Sequence, residues 1–568
     1  MKKKQFIFLI FLLGITFIMA CSGPEEKKMK FFNKGKALYE KGDYVKSALE
    51  FKNAIQIDPK YAEAYYMLGM TELNKGNPKG AYGNFLKVSE LNPKHTKAQV
   101  QIGKIFLSAR MPDKALEKAE LVLNFEPGNE EAMLLKAKVY LTGQKRDEAI
   151  SLLQSMEQKG IKQPEIYILM ASAYVQKKDI AIAESTLDRG IANNPKAVSL
   201  YAALTNIYLI SKRFDNAVAA VKKVIELEPS KSWHKLILAN VYWEAGQKDK
   251  SVEVLKSLTA AEPKNEERWL QVVGFYLARR SFQEAENNLK QGIRENTKSF
   301  KLRFALCEIY LNLNMTDRAL DILKECLTID KKASNPDILK TKNMLAKINL
   351  ARGKISEATI LVDEVIKEDV KNVDAHFIKG NILLSKNESS KAISEFRTVV
   401  TEMPQFTAGH IRLADAHMLN KEYNLAYDTL QKALKNDPKS RNIMRELAKL
   451  SIQQKDYNGA EANLRKILEA NPKDMEVLTE LGDIFMIQKD YKRAASTYNE
   501  VKQKAPQIPA GYVKLSSLYM MQGNWEKAAI ELRQAIQMNP KSVPLSNMLA
   551  QVYTQQKKYG AAIAFLEA

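Results

Sequence analysis

Apolar residues in this chain come in short bursts with helical spacing, and the bursts restart every 34 residues. In the stretch NAIQIDPKYAEAYYMLG (residues 53–69) one amphipathic pattern stops at Asp58-Pro59 and another begins. Thirty-four residues later the chain reads LKVSELNPKHTKAQVQIG, with Pro93 in the place of Pro59 and Gly103 in the place of Gly69. Within each period apolar positions fall at i, i+3, i+4 and i+7, then again at i, i+4 and i+7, which predicts two short amphipathic helices. In the second period the first helix carries Tyr65, Leu68 and Gly69, and the second carries Ala81, Phe85 and Val88 before Asn92-Pro93 ends it. Proline recurs at 59, 93, 127, 195, 229 and 263, then at 404, 438, 472, 506 and 540; every gap is a multiple of 34 except 263 to 404, which is four periods plus five. Proline forbids continued helix and pushes the preceding residue out of the α region. A sustained period of this length predicts stacked repeats rather than one compact core.

Small residues sharpen the picture. With each repeat numbered from 1, so that the first starts at residue 28, position 20 holds fourteen alanines and two serines (Ser47 and Ser251) over sixteen repeats. Position 8 is mostly small as well, with Gly35, Gly69, Gly103, Ala137, Ala171, Ala239, Gly380 and Gly482. Antiparallel helices approach to about 8 Å only where side chains are this small.

These features resemble the tetratricopeptide repeat family over residues 28–568, with Gly69, Ala81, Phe85 and Pro93 at that family's marked positions. The resemblance implies an all-α fold, a right-handed α-solenoid of about sixteen helix pairs. The expected layout is a leader over 1–20, a tether over 21–27, nine repeats over 28–330, an insertion and hinge over 331–338, and seven repeats over 339–568. The period stretches to 39 through KKASNPDILK (331–340), where Ser334 or Asn335 is expected to cap the next helix with Pro336 in its first turn. The sixteenth repeat stops inside its second helix, so either a partner covers that end or the natural chain continues.

Residues 1–20 fit no repeat. Lys2, Lys3 and Lys4 precede the apolar run FIFLIFLLGITFIMA, whose fifteen residues fall short of the roughly 20 of a membrane span. The run ends in Ile18-Met19-Ala20-Cys21, which resembles the lipobox of bacterial lipoproteins, where the signal is cut before the cysteine and the cysteine is acylated; an ordinary secretory signal is the alternative. Lipidation at Cys21 would be a firm anchor, each buried methylene adding about 0.8 kcal/mol. Ser22 follows where an aspartate would signal inner-membrane retention, so the resemblance implies a bacterial envelope protein held on the outer membrane and facing the periplasm.

The net charge of +21 suggests a polyanion partner. The face that the family uses as its concave groove, positions 2, 5, 9 and 13 of each first helix, nevertheless carries eleven acids and nine bases. Much of the surplus lies elsewhere, including Lys60, Lys94, Lys196, Lys264, Lys439, Lys473 and Lys541, each directly after a turn proline and suited to the negative end of the preceding helix. Anionic polysaccharide or lipid is therefore expected alongside the outer face, and nucleic acid is not expected. Chemistry has no visible foothold. Cys307 and Cys326 form no zinc set and are read as core filling or a disulfide. His376 and His410 at position 4 and His417 at position 11 read as packing residues, and no H-E-x-x-H, phosphate loop or G-x-S-x-G occurs. No catalytic residue, metal or cofactor is expected.

Partner binding is the remaining function. Trp233 and Trp243 at positions 2 and 12 of the seventh repeat, with Leu236 and Asn240 between them, lie beside small residues Ser199, Ala202 and Gly274. This cluster is a candidate groove site for a peptide side chain or a stacked sugar, with packing between repeats as the plainer reading. No repeat combines lysine at position 5 with asparagine at position 9, the pair with which the chaperone-binding members of the family hold a terminal carboxylate. The order of signal, lipobox, tether and array, and the opening KALYEKGDYVKSALEFKNAIQIDPKYAEAYYMLGM, resemble the repeat lipoproteins of bacterial exopolysaccharide and exosortase (PEP-CTERM) systems. The resemblance implies a lipid-anchored scaffold for envelope proteins or peptides; outer-membrane or pilus biogenesis and direct carbohydrate binding are the alternatives.

Overall fold

The computed structural model describes residues 23–567. Among them 32 helices follow one another from Pro24–Glu40 to Tyr559–Glu567, two per period, with no strand. The chain is an all-α solenoid of helix pairs. It divides into two compact parts, one ending at Arg279 and the other beginning at Arg280. Cys21 and the apolar leader lie outside the described residues. No described helix is long and apolar enough to cross a membrane.

In each part the two helices of a repeat cross where their side chains are smallest. The position-20 alanines from Ala81 to Ala528 are fully buried. Where serine stands there it bonds across the crossing: Ser47 Oγ donates to the Gly35 carbonyl at 2.9 Å, and Ser251 Oγ to the Ala239 carbonyl at 2.8 Å. Position 8 is matched to position 24. A Cβ on Gly69 would lie 2.5 Å from the ring of Phe85, and one on Gly380 would lie 2.6 Å from that of Phe396. Gly35 and Gly482 face Phe51 and Tyr498 in the same way. Where position 8 is alanine, as at Ala171 and Ala414, position 24 is the slimmer Leu187 or Leu430. Gly103 departs from the rule: Ala119 stands at its position 24, and Leu135 of the next repeat takes up the space.

The turn inside each repeat is made the same way throughout. Position 15 has positive φ in all sixteen repeats, from 56° at Lys212 and Arg280 to 78° at Gly42. Only five of these residues are glycine; the rest are lysine, arginine, asparagine or glutamine. The left-handed residue lets two backbone N–H groups close the preceding helix, as Gly42 N to Tyr39 O and Asp43 N to Leu38 O do at 3.0 Å each. Between repeats the residue before proline is extended, as at Asp58 (φ −132°, ψ 93°). The Asp58 side chain accepts from the Lys60 N–H at 3.0 Å, and Asn92 does so from Lys94 at 3.2 Å, which explains the recurring Asp/Asn-Pro-Lys triplet.

At the 39-residue period Asn335 is the cap, accepting from the Asp337 N–H at 2.9 Å, with Pro336 opening the helix Pro336–Ala351. Asp330 ties the extra residues down by accepting from Lys332 N at 2.9 Å and from Asn335 Nδ2 at 2.6 Å. Cys307 and Cys326 are free, fully buried thiols, pushed up by burial to about 11 and about 12.

Candidate functional site

Position 5 of the first helices is partly taken up by packing: Phe32, Val100 and Leu134 are buried, while Ile168, Ala202 and Phe377 are half-buried. Positions 2 and 9 stay accessible, and their charges pair from repeat to repeat. Lys104 meets Glu131 at 2.7 Å, Lys138 meets Glu165 at 2.6 Å, and Lys347 meets Asp374 at 2.9 Å, each a position-9 lysine with the position-2 acid of the following repeat. Arg445 joins Glu476 and Glu480, and Arg441 joins Asp474 and Glu476. Such exposed pairs add little stability individually. Their consequence is that much of this face is already neutralised by its own partners.

The tryptophan cluster of the seventh repeat separates into two environments. Trp233 and Trp243 stand ten residues apart on one helix, Trp233–Glu244, hence about 15 Å along its axis, too far to clamp one sugar ring. Trp233 is 48% exposed, its ring tilted by 46° against that of its neighbour His234. With Ala202, Asn206 and Ile237 it lines a pocket of about 110 Å³. Trp243 turns to the following repeat, edge-on to Phe275 at 5.7 Å. Asn240 is engaged, its Oδ1 accepting from Arg279 Nη2. The Arg279 guanidinium lies 3.6 Å from the Phe275 ring centre and 5.6 Å from that of Trp243, and burial lowers its pKa. Leu236 is half-buried, Ser199 is exposed, and a Cβ on Gly274 would meet open space. The candidate residues therefore share a face without forming one site.

Arg279 was not legible as part of this cluster, because it belongs to the turn after the next first helix, 39 residues beyond Asn240. Two further cavities were also missed. One, of about 220 Å³, lies between the first helices of the fifth and sixth repeats and is lined by Ile168, Val175, Ala203, Asn206, Ile207 and Ile210. The other, in the second part, is about 810 Å³ and is lined by residues of four consecutive first helices, among them Leu350, Phe377, Leu384, Met418 and Leu419. Its polar groups include Lys347, Asn381, Arg412, Asp415 and Gln453, with Arg412 donating to Asp415 at 3.1 Å. Burial and the neighbouring Glu446 raise the Asp415 carboxyl above its ordinary range. Leu419 is 59% exposed at its rim. The signal for these cavities was the residue series at positions 5, 9, 12 and 13, read repeat against repeat.

The histidines are structural. His376, His410 and His417 are buried. His410 Nε2 bonds the Pro404 carbonyl at 2.9 Å, and His417 Nδ1 meets Glu422 at 2.6 Å. His376 bridges Glu395 and the Val370 carbonyl. Among the described residues no group of three His, Cys, Asp or Glu is placed to hold a metal ion. The seven lysines after turn prolines are all exposed.

Family profiles described as "TPR repeat" and "Tetratricopeptide repeat" match residues 35–76, 62–95, 208–274, 276–342, 445–509 and 519–568, together more than half of the chain. A profile described as "ChAPs (Chs5p-Arf1p-binding proteins)" matches residues 101–223. No curated protein matches. Solved structures similar to the chain include Naa15/Naa10 bound to HypK-THB (14% identity, 96% of this chain and 94% of that one, TM-score 0.49). A tetratricopeptide repeat protein from Parabacteroides merdae matches at 18% identity, over 44% of this chain and 98% of that one, with a TM-score of 0.35. The APC/C hetero-tetramer Cut9-Hcn1 matches at 14% identity, over 87% and 97%, with a TM-score of 0.33.

Proposed function

We propose, from the premise that this chain belongs to the tetratricopeptide repeat proteins, that it is a lipid-anchored scaffold gathering other proteins of a bacterial envelope. Tetratricopeptide scaffolds are typically non-catalytic and bind protein partners. The observation that carries the docking role is the cavity of about 810 Å³ along the tenth to thirteenth repeats, where four first helices present apolar side chains beside a few polar groups. A helix or extended segment of a partner can bury Leu419 and Met418 there while Arg412 and Asp415 orient it. The ChAPs proteins bind Chs5p and Arf1p by their name, which fits a protein-binding role for the matched repeats here.

Cys21 is the proposed lipid site, supported by the Lys2–Lys4 start, the apolar run and the Ile18-Met19-Ala20 before it. The outer membrane is the proposed location and exopolysaccharide export or exosortase-linked sorting the proposed pathway, both resting on the resemblance of the leader and array order. Exposed turn lysines fit an anionic polymer or headgroup beside the array.

The test uses the full chain in its native host. With a photo-crosslinking residue at Leu419, specific envelope proteins are expected as adducts, and Met418→Glu is expected to remove them. Cys21→Ser is expected to move the protein from the membrane fraction to the soluble one. Adducts indifferent to Met418→Glu would defeat the groove role, and unchanged partitioning of Cys21→Ser would defeat the anchor.

A further inference from the structure

Each later repeat seats its first helix on the repeat before it, chiefly through positions 3 and 7. Ala64 and Leu68 share one buried cluster with Ala48, Phe51 and Ala54, and Ala98 and Ile102 share another with Ala81, Phe85 and Val88. In the first described repeat the same two positions hold Lys30 and Lys34, both exposed. Lys27 and Lys41 prolong the row along the helix Pro24–Glu40 and its closing residue. At about 3.6 residues per turn the four fall within about 60° of one another and span about 21 Å. Lys28, one residue off that row, is buried and paired with Glu25 at 2.7 Å and Asp58 at 3.0 Å.

The second helix of this repeat, Tyr44–Ile57, adds to the same end. Its Glu50 meets Lys34 at 2.6 Å, and the chain neighbour of Glu50, Leu49, is 57% exposed. Val45, one turn earlier, is 73% exposed. These two stand at positions 22 and 18, and no later repeat has a large apolar residue at both. Lys46 lies between them, paired with Asp43 at 3.0 Å. Among the described residues Glu50 and Asp43 thus neutralise Lys34 and Lys46, while Lys27, Lys30 and Lys41 have no carboxylate in contact.

We propose that this end of the first repeat rests on an anionic phospholipid bilayer, its lysine row on headgroup phosphates and Val45 and Leu49 in the interface. The proposal deepens the lipid-anchor reading and rests on it. Pro24 follows Cys21 by three residues, which reach at most about 10 Å. An acylated Cys21 therefore keeps the first repeat close to the bilayer, yet a single point of attachment leaves it free to swivel. Each lysine near an anionic surface strengthens binding about fivefold, and the apolar pair fixes which side faces down. Other occupants fit less well. A further repeat would need apolar residues where Lys30 and Lys34 stand. A second copy set end to end would bring two lysine rows together, and like charges repel. A soluble anionic polymer matches the lysines but offers no hydrocarbon to Val45 and Leu49. A polar end face is enough for solubility; a row of one sign beside exposed valine and leucine is more than solubility requires.

The test reconstitutes the full chain, purified from its native host, in vesicles of phosphatidylcholine alone or with phosphatidylglycerol. Lysine acetylation is then followed by mass spectrometry. Lys27, Lys30 and Lys41 are expected to react several-fold more slowly on the phosphatidylglycerol vesicles, with Lys473 and Lys541 unaffected and the difference lost in high salt. Equal reaction on both vesicles, with acyl mass found on Cys21, would overturn the seat and leave the anchor standing. A second measurement removes the anchor: the chain from Ser22 onward, which keeps every described repeat, is expected to co-sediment with phosphatidylglycerol vesicles by itself. Replacing Lys27, Lys30 and Lys41 together by glutamine should weaken that binding about a hundredfold, three factors of about five. Leu49→Glu should weaken it by at least about tenfold, with unfolding temperature unchanged in both variants because the side chains are exposed. Absence of acyl mass on the wild-type chain would defeat the anchor alone, since vesicle binding from Ser22 onward would still support the seat. Equal capture by soluble dextran sulfate, insensitive to Leu49→Glu, would assign the face to a polymer and overturn the bilayer.

Discussion

The indole Nε1 of Trp269 donates a hydrogen bond to the carbonyl of Pro263 at 2.9 Å, six residues upstream. The same link recurs at position 4 with different chemistry. Gln99, Tyr201, His410 and Tyr512 bond Pro93, Pro195, Pro404 and Pro506, and His376 bonds Val370 where no proline stands. Each ties the start of a repeat to the turn before it and gives that turn's carbonyl a hydrogen-bond donor. Tyr512→Phe removes the link while keeping the ring. The expected loss is about 1 kcal/mol, read as a lowered urea midpoint with tryptophan fluorescence following the local transition.

Gly69 and Phe85 are expected to behave as one unit. An alanine at 69 gains about 1 kcal/mol of helix propensity, yet its Cβ would stand 2.5 Å from the ring. Gly69→Ala should therefore destabilise, by about 1–3 kcal/mol of overpacking less that gain. In a Phe85→Leu background the same change should cost far less. A double-mutant cycle by chemical denaturation measures the coupling, expected at about 1 kcal/mol or more. Additive effects would contradict the contact.

Position 15 holds a removable strain. Lys421 sits at φ 61°, where a non-glycine residue costs about 1–2 kcal/mol. Lys421→Gly relieves this against about 0.5–1 kcal/mol of added unfolded-state freedom. A net gain of up to about 1 kcal/mol is expected, seen as a higher unfolding temperature. Gly42→Ala, at φ 78° with open space around it, should shift the temperature down.

The buried His376 makes stability depend on pH. Its hydrogen bond to Glu395 outweighs burial, and its pKa is raised above 6.5. Lys379, paired with Asp363 and near Glu395, opposes the shift. A raised folded pKa contributes stability that is complete below the unfolded value and is lost as pH rises through the folded value. The difference in unfolding free energy between wild type and His376→Gln should therefore shrink as pH climbs from 5.5 through neutrality. A difference that grows with pH would reverse the assignment.

How far the sequence reaches depends on the distance over which its rules act. The Asp/Asn-Pro-Lys turn is written locally in the sequence, since Asp58, Pro59 and Lys60 are adjacent and each has its own backbone preference. The crossing at positions 8 and 20 repeats often enough for side-chain size alone to reveal it. The match between Gly69 and Phe85 was visible too, as a glycine-to-aromatic correspondence sixteen residues apart, but only once position 24 was compared with position 8. The left-handed turn was hidden at eleven of sixteen repeats, because lysine, arginine, asparagine and glutamine do not advertise positive φ as glycine does.

By itself, the sequence determined the helix pairs, their period and the small contacts that let them pack, because these follow from periodicity and backbone sterics within one repeat. Tertiary structure decided which groove charges cancel, that Arg279 claims Asn240, that the two tryptophans face different neighbours, and that Asn206 stands unbonded between two cavities. Those relations join side chains about one repeat apart, and the rotation and spacing of successive helices, not local pattern, bring them within reach.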